Sequence, residues 1–93
     1  MISFNDIKRV LTWTKATNNK VIIKFEKTPY FLAIDRLIHA EDEDGRSVPW
    51  MRAFGPKQPH QVLSSYKVKE IMLVKQDGSI ESIKDLKELF RIV

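Results

Sequence analysis

The side chains able to do chemistry in this chain are cations and flat rings rather than a catalytic set. There are two histidines, His39 and His60, and no cysteine, which removes disulfides, thiolate catalysis and Cys-ligated zinc together. No Gly-x-Ser-x-Gly elbow, Ser/His/Asp spacing or His-Glu-x-x-His pair is present, and three glycines make no phosphate-cradling loop. His39 and Glu41 share a face if the segment is a strand, so two metal ligands are conceivable. The simpler reading is a strand-end histidine beside a solvated acidic turn. Asp42, Asp44 and Gly45 echo a calcium loop whose other ligands are missing. The expectation is a non-enzymatic chain with no metal and no cofactor.

Nucleic-acid binding needs cations for phosphate and aromatic faces for bases. If residues 46–54 form a strand, Arg46, Trp50 and Arg52 share one face, with Lys57 and His60 in the loop that follows. Lys67 and Lys69 share parity with Lys75 on a later strand, beside Tyr66. In the competing reading Trp50 joins Val48 and Phe54 in the core and the arginines snorkel at its rim. Asp35-Arg36 interrupts an apolar strand. Adjacent strand residues point to opposite faces, so the two cannot pair with each other. Arg36 then either clamps a phosphate or holds one of the acids of Glu41–Asp44. The expected nucleic-acid site is Arg36, Arg46, Trp50, Arg52, Lys57, Tyr66, Lys67 and Lys69.

These residues must be positioned by short elements. Residues 3–17 read as a helix: Ser3 caps it, Asp6 completes a capping box, and Ile2 and Ile7 are spaced as a hydrophobic staple. Phe4, Ile7, Val10, Leu11 and Thr14 form its apolar stripe, and Thr17-Asn18-Asn19 stops it. Val21, Ile23 and Phe25 alternate with Lys20, Lys24 and Glu26 in a half-buried strand, followed by a Lys27-Thr28-Pro29 turn. Residues 30–40 are apolar on both faces and read as one strand, either central or wrapping from one sheet into another as in a small barrel. Glu41 to Gly45 form a turn, residues 46–54 a strand demoted to an edge by Pro49, and residues 61–75 one or two strands. Asp77-Gly78 marks a hairpin, Ile80 starts a return strand, and Ser82 caps a last helix with Asp85 at its capping-box position. The fold class expected is α+β. It is a small, strongly bent antiparallel sheet, or an SH3/Sm-like barrel, with an N-terminal and a C-terminal helix.

Ninety-three residues make one domain, since a second core would not fit. An apolar fraction of 43% with 30% charged residues argues against disorder. The net charge of +4 suits a polyanionic partner. No apolar run approaches the ~18–20 residues that span a bilayer, and the first residues lack a signal-peptide pattern. A soluble, cytoplasmic chain without membrane contact is expected.

Three stretches carry a family resemblance: Val10-Leu11-Thr12-Trp13, Tyr30 to Arg36, and Tyr66 to Ile71 followed by Lys75-Gln76-Asp77-Gly78. Together they resemble a small domain, common in archaea, proposed to recognise the cyclic phosphate ends of RNA. That domain has a helix ending near a Trp, a strand with an Asp-Arg pair, and a later strand reading Ile-Pro-x-His-Arg-Ile. Ser64-Ser65-Tyr66-Lys67-Val68 stands here where the Pro and His belong, so the phosphate-contacting histidine is absent. The resemblance implies the fold and an RNA ligand. The partner expected is therefore RNA or another single-stranded nucleic acid. The alternative is a protein-interaction or accessory subunit of a larger nucleoprotein or viral assembly. It would dock, or dimerise, through an edge strand or the C-terminal helix.

Overall fold

A computed structural model describes residues 2–93. The first helix, α1 (Phe4–Thr17), starts as its sequence dictates. The Ser3 hydroxyl accepts from the Asp6 N–H at 3.2 Å, and the Asp6 carboxylate accepts from the Ser3 N–H at 2.9 Å. Asn18 closes the helix at φ 56°, a left-handed conformation that Asn tolerates. Ile7, Val10 and Thr14 are buried. Phe4, expected in the same stripe, is instead 56% exposed and meets the edge of the His60 ring.

Six strands follow the order β4-β3-β2-β1-β5-β6, every pair antiparallel. They are β1 (Lys20–Phe25), β2 (Phe31–Ile34), β3 (Ile38–Glu41), β4 (Ser47–Val48), β5 (Val68–Val74) and β6 (Ile80–Ile83). The edges β4 and β6 do not meet, so the α+β fold is an open sheet and not a closed barrel. The first four strands run as a meander. The chain then crosses back through α2 (Trp50–Phe54) and α3 (Pro59–Ser65) to lay β5 beside β1. After β6 comes α4 (Leu86–Ile92).

Four local expectations are corrected. Residues 30–40 are two strands, because Asp35 builds a turn: its carboxylate accepts from the Arg36 and Leu37 N–H groups at 2.6 and 3.3 Å. The Asp35-Arg36 pair is therefore a hairpin tip, fastened to α1 by the Thr14 hydroxyl donating to the Asp35 carbonyl at 2.7 Å. Residues 46–54 hold only a two-residue strand; beyond Pro49, which has no N–H for a ladder, the chain turns into α2. Residues 61–65 belong to α3, with Pro59 at its first position and Gln58 and Gln61 forming a capping box. Ser82 pairs with Met72 inside β6, and Asp85 caps α4, accepting from the Glu88 N–H at 2.8 Å.

One face of the sheet carries the core. Val21, Ile23, Leu32, Ile34, Ile71, Leu73 and Ile83 pack with Ile7 and Val10 of α1, Phe54 of α2, Val62 and Leu63 of α3, and Leu89 of α4. Burying such side chains contributes about 1.5–3 kcal/mol each before entropy is counted. The opposite face, with Lys20, Ile22, Lys24, Phe31, Met72 and Val74, is half-exposed. Among the described residues no helix is long and apolar enough to cross a membrane.

Candidate functional site

Lys24 pairs with Glu70 across β1 and β5, yet the next partners are Phe25 and Val68. Lys69 is the extra residue of a β-bulge, left out of the ladder. This irregularity sits where β1 runs into the Lys27-Thr28-Pro29 turn, and it forms the wall of a cleft of about 480 Å³. Lys24, Lys27 and Lys69 line the cleft with Glu26 and Glu43, around the half-buried ring of Phe31. The Lys24 ammonium lies 5.1 Å from the centre of that ring, within cation–π reach, and 3.4 Å from the Glu70 carboxylate. Lys27 and Lys69 are exposed and form no ion pair among the described residues.

Next to this cleft, Phe25 contacts Tyr66 at 5.6 Å between ring centres and Phe54 at 5.8 Å. Trp50 stacks at a tilt on Phe54, 4.8 Å away, and its Nε1–H donates to the Lys57 carbonyl at 2.8 Å. The Lys57 ammonium lies 5.8 Å from the Tyr66 ring centre. Trp50, Lys57 and Tyr66 thus converge, as parts of one aromatic cluster around the buried Phe54. The indole is held in place by its hydrogen bond and by Phe54, so it is not a free strand-borne platform.

The expected cations are distributed otherwise. Arg36 sits at the β2–β3 tip, at the end of the sheet where Val21 pairs with Ile34, and forms no ion pair among the described residues. Arg46 lies in the turn before β4, 3.9 Å from Asp44. Arg52 is exposed on α2, so Arg46, Trp50 and Arg52 form no row: the strand that would have aligned them stops at Val48. Lys67 lies 3.7 Å from Glu26 on the cleft side. Only Lys69 of the expected set lines the cleft itself. Lys24, Lys27 and Phe31 were missed, although a lysine three residues before the Lys27-Thr28-Pro29 turn, a lysine within it and an aromatic two residues after it were visible as a pattern.

A second polar group occupies the open face. The Lys20 ammonium lies 2.6 Å from the Glu41 carboxylate, whose side chain is 5% exposed. His39 Nε2 is 3.4 Å from Asp35 and 3.7 Å from Glu41, and Nδ1 is 3.5 Å from the Ser47 hydroxyl. These spacings exceed the roughly 2.7–3.0 Å of well-formed hydrogen bonds, and the group works as a charge network rather than an aligned relay. Burial pushes the Asp35 carboxyl up, but the N–H groups of Leu37 and Arg36 and the His39 ring outweigh it and hold it below the usual carboxylate range. Among the described residues no group of three or more His, Asp or Glu side chains can hold a metal ion.

No protein-family model, no curated protein and no solved structure matches this chain.

Proposed function

We propose that this chain is a non-enzymatic module that binds single-stranded nucleic acid, RNA above all, at the bulged end of its sheet. One observation carries the reading: two unpaired lysines, Lys27 and Lys69, flank a half-buried aromatic ring in an open cleft. Ammonium groups neutralise phosphates, and Phe31 offers a face on which a base stacks. Lys67 and Lys57 extend the positive rim toward Tyr66. Glu26 and Glu43 share the walls and keep the number of productive phosphate contacts small. The resemblance to the domain for RNA cyclic phosphate ends favours the same ligand class. Its Pro and His positions are taken here by Ser64 to Val68, so recognition of the terminal phosphate is not part of the reading.

The test is fluorescence anisotropy of a labelled oligouridylate across a salt series. Three phosphate contacts give a slope of log affinity against log salt near about −2, from ~0.7 per contact on a single strand. Absence of binding at low salt, or affinity indifferent to salt, overturns the reading.

A second reading has its own observation. Ile22, Met72 and Val74 share the open face with Ile80, which is 62% exposed on the edge strand β6. An apolar strip beside an unpaired edge suits a protein partner or a second copy of the chain. Light scattering separates the two: a protein that stays monomeric at high concentration and takes up only oligonucleotide counts against this one.

A further inference from the structure

The acidic stretch from Glu41 to Asp44 leaves one carboxylate unengaged. Glu41 meets Lys20 at 2.6 Å, Asp42 accepts from the Asp44 and Arg46 N–H groups at 2.9 Å, and Asp44 lies 3.9 Å from Arg46. Among the described residues the Glu43 side chain accepts no hydrogen bond and pairs with no cation. Phe31 pairs with Glu41 in the sheet, so the turn after Glu41 returns beside the ring and brings Glu43 into the bulged-end cleft. Of the other charges on that lining, Lys24 is held by Glu70 and the Phe31 ring, and Glu26 lies 3.7 Å from Lys67. Lys27, Lys69 and Glu43 are left for an occupant. The cleft, about 480 Å³, is of small-molecule size and suits one base rather than several.

An unpaired carboxylate repels a phosphate chain unless the ligand brings donors to it. The bases differ in this respect. Guanine sets its N1–H and its N2 amino group side by side, at the spacing of two carboxylate oxygens. Uracil flanks its N3–H with two carbonyl oxygens. Adenine and cytosine each set an amino group beside a ring-nitrogen lone pair. Guanine alone offers donors to both oxygens of a carboxylate. We infer that the cleft selects guanine within a single strand. Glu43 accepts from N1–H and N2–H, Phe31 stacks on the base, and Lys27 and Lys69 meet the flanking phosphates. This rests on the nucleic-acid reading of the same cleft and adds the base that it prefers.

The test is anisotropy of labelled pentauridylate and of the same strand with its central base replaced by guanine, inosine, adenine or cytosine. The guanine strand binds about tenfold tighter than pentauridylate, within the discrimination that one bidentate base contact gives. Inosine, which lacks the N2 amino group, loses most of that gain, and adenine and cytosine stay near uracil. Glu43→Gln turns an amide donor toward a guanine donor and abolishes the preference, while pentauridylate binds no more weakly because a negative charge has left. Asp44→Asn removes the same charge from the same turn, outside the cleft lining, and keeps the preference. Circular dichroism verifies folding of each variant. Equal affinity for all the strands, or a guanine preference that survives Glu43→Gln, overturns this inference and leaves the nucleic-acid reading standing. Failure of every strand to bind at low salt overturns both.

Discussion

The Lys20 ammonium reaches from β1 across β2 to the Glu41 carboxylate on β3, closing to 2.6 Å. Glu41 is one of two buried polar residues among the described residues, and on the open face of the sheet Lys20 and His39 approach its carboxylate. Lys20→Met strands that carboxylate. Full burial of a broken pair costs about 3–5 kcal/mol, and the partly exposed lysine lowers the expected loss to about 2 kcal/mol. The double change Lys20→Met with Glu41→Leu is expected near neutral. Urea unfolding of the three proteins checks both statements.

Asp35 gives the hairpin tip an acid limit. Its folded-state carboxyl sits below the usual range, because the N–H groups of Leu37 and Arg36 and the His39 ring overcome the upward push of burial. A depressed carboxyl contributes stability above its unfolded value, about 3.9, and that contribution is lost as pH falls through the folded value. Asp6, held down by the Ser3 backbone and hydroxyl, and Asp77, held down by Ser79, act in the same direction. Asp35→Asn therefore flattens the acid limb of a stability–pH profile measured by denaturant midpoints. An unchanged limb would show that the turn contacts do not favour the charged form.

The two aromatic groups separate under mutation. Phe31→Ala weakens oligouridylate binding by about 1–3 kcal/mol, the range for one stacked base, whereas Trp50→Phe leaves affinity within experimental scatter. Lys27→Ala with Lys69→Ala lowers the salt slope by about 1.4, from ~0.7 for each lost phosphate contact. Anisotropy titrations at several salt concentrations read both quantities.

The end of α1 depends on one backbone conformation. Asn18 sits at φ 56°, where a β-branched residue is strained, so Asn18→Val costs about 1–2 kcal/mol and Asn18→Gly is close to neutral. Thermal melts of the two variants show whether the left-handed cap sets the entry to β1.

Local interactions made part of the fold legible. Ser3 and Asp6 satisfy each other within one helical turn, Asn18 stops the same helix, and the Lys75 N–H closes onto the Ser79 carbonyl around Gly78 at φ 88°. Each depends on residues a few positions apart, and so does the alternation of Val21, Ile23 and Phe25. The turn at Asp35 was hidden because it contains neither Gly nor Pro and rests on a side chain accepting from its neighbours' N–H groups. The short helices α2 and α3 were hidden because five and seven residues display too little periodicity, although Pro59 at a first helical position was a usable sign.

The sequence by itself determined the α+β class, the caps of α1 and the inward face of β1, since these follow from hydrogen bonds and burial among near neighbours. Only the tertiary structure decided where the cations and rings stand. Lys69 leaves the ladder because β5, more than forty residues further on, pairs with β1 one residue out of step. Trp50 is immobilised because the chain after Gly55 brings the Lys57 carbonyl within 2.8 Å of its indole. Such contacts depend on which distant segments become neighbours, and residue spacing along the chain carries no record of that choice.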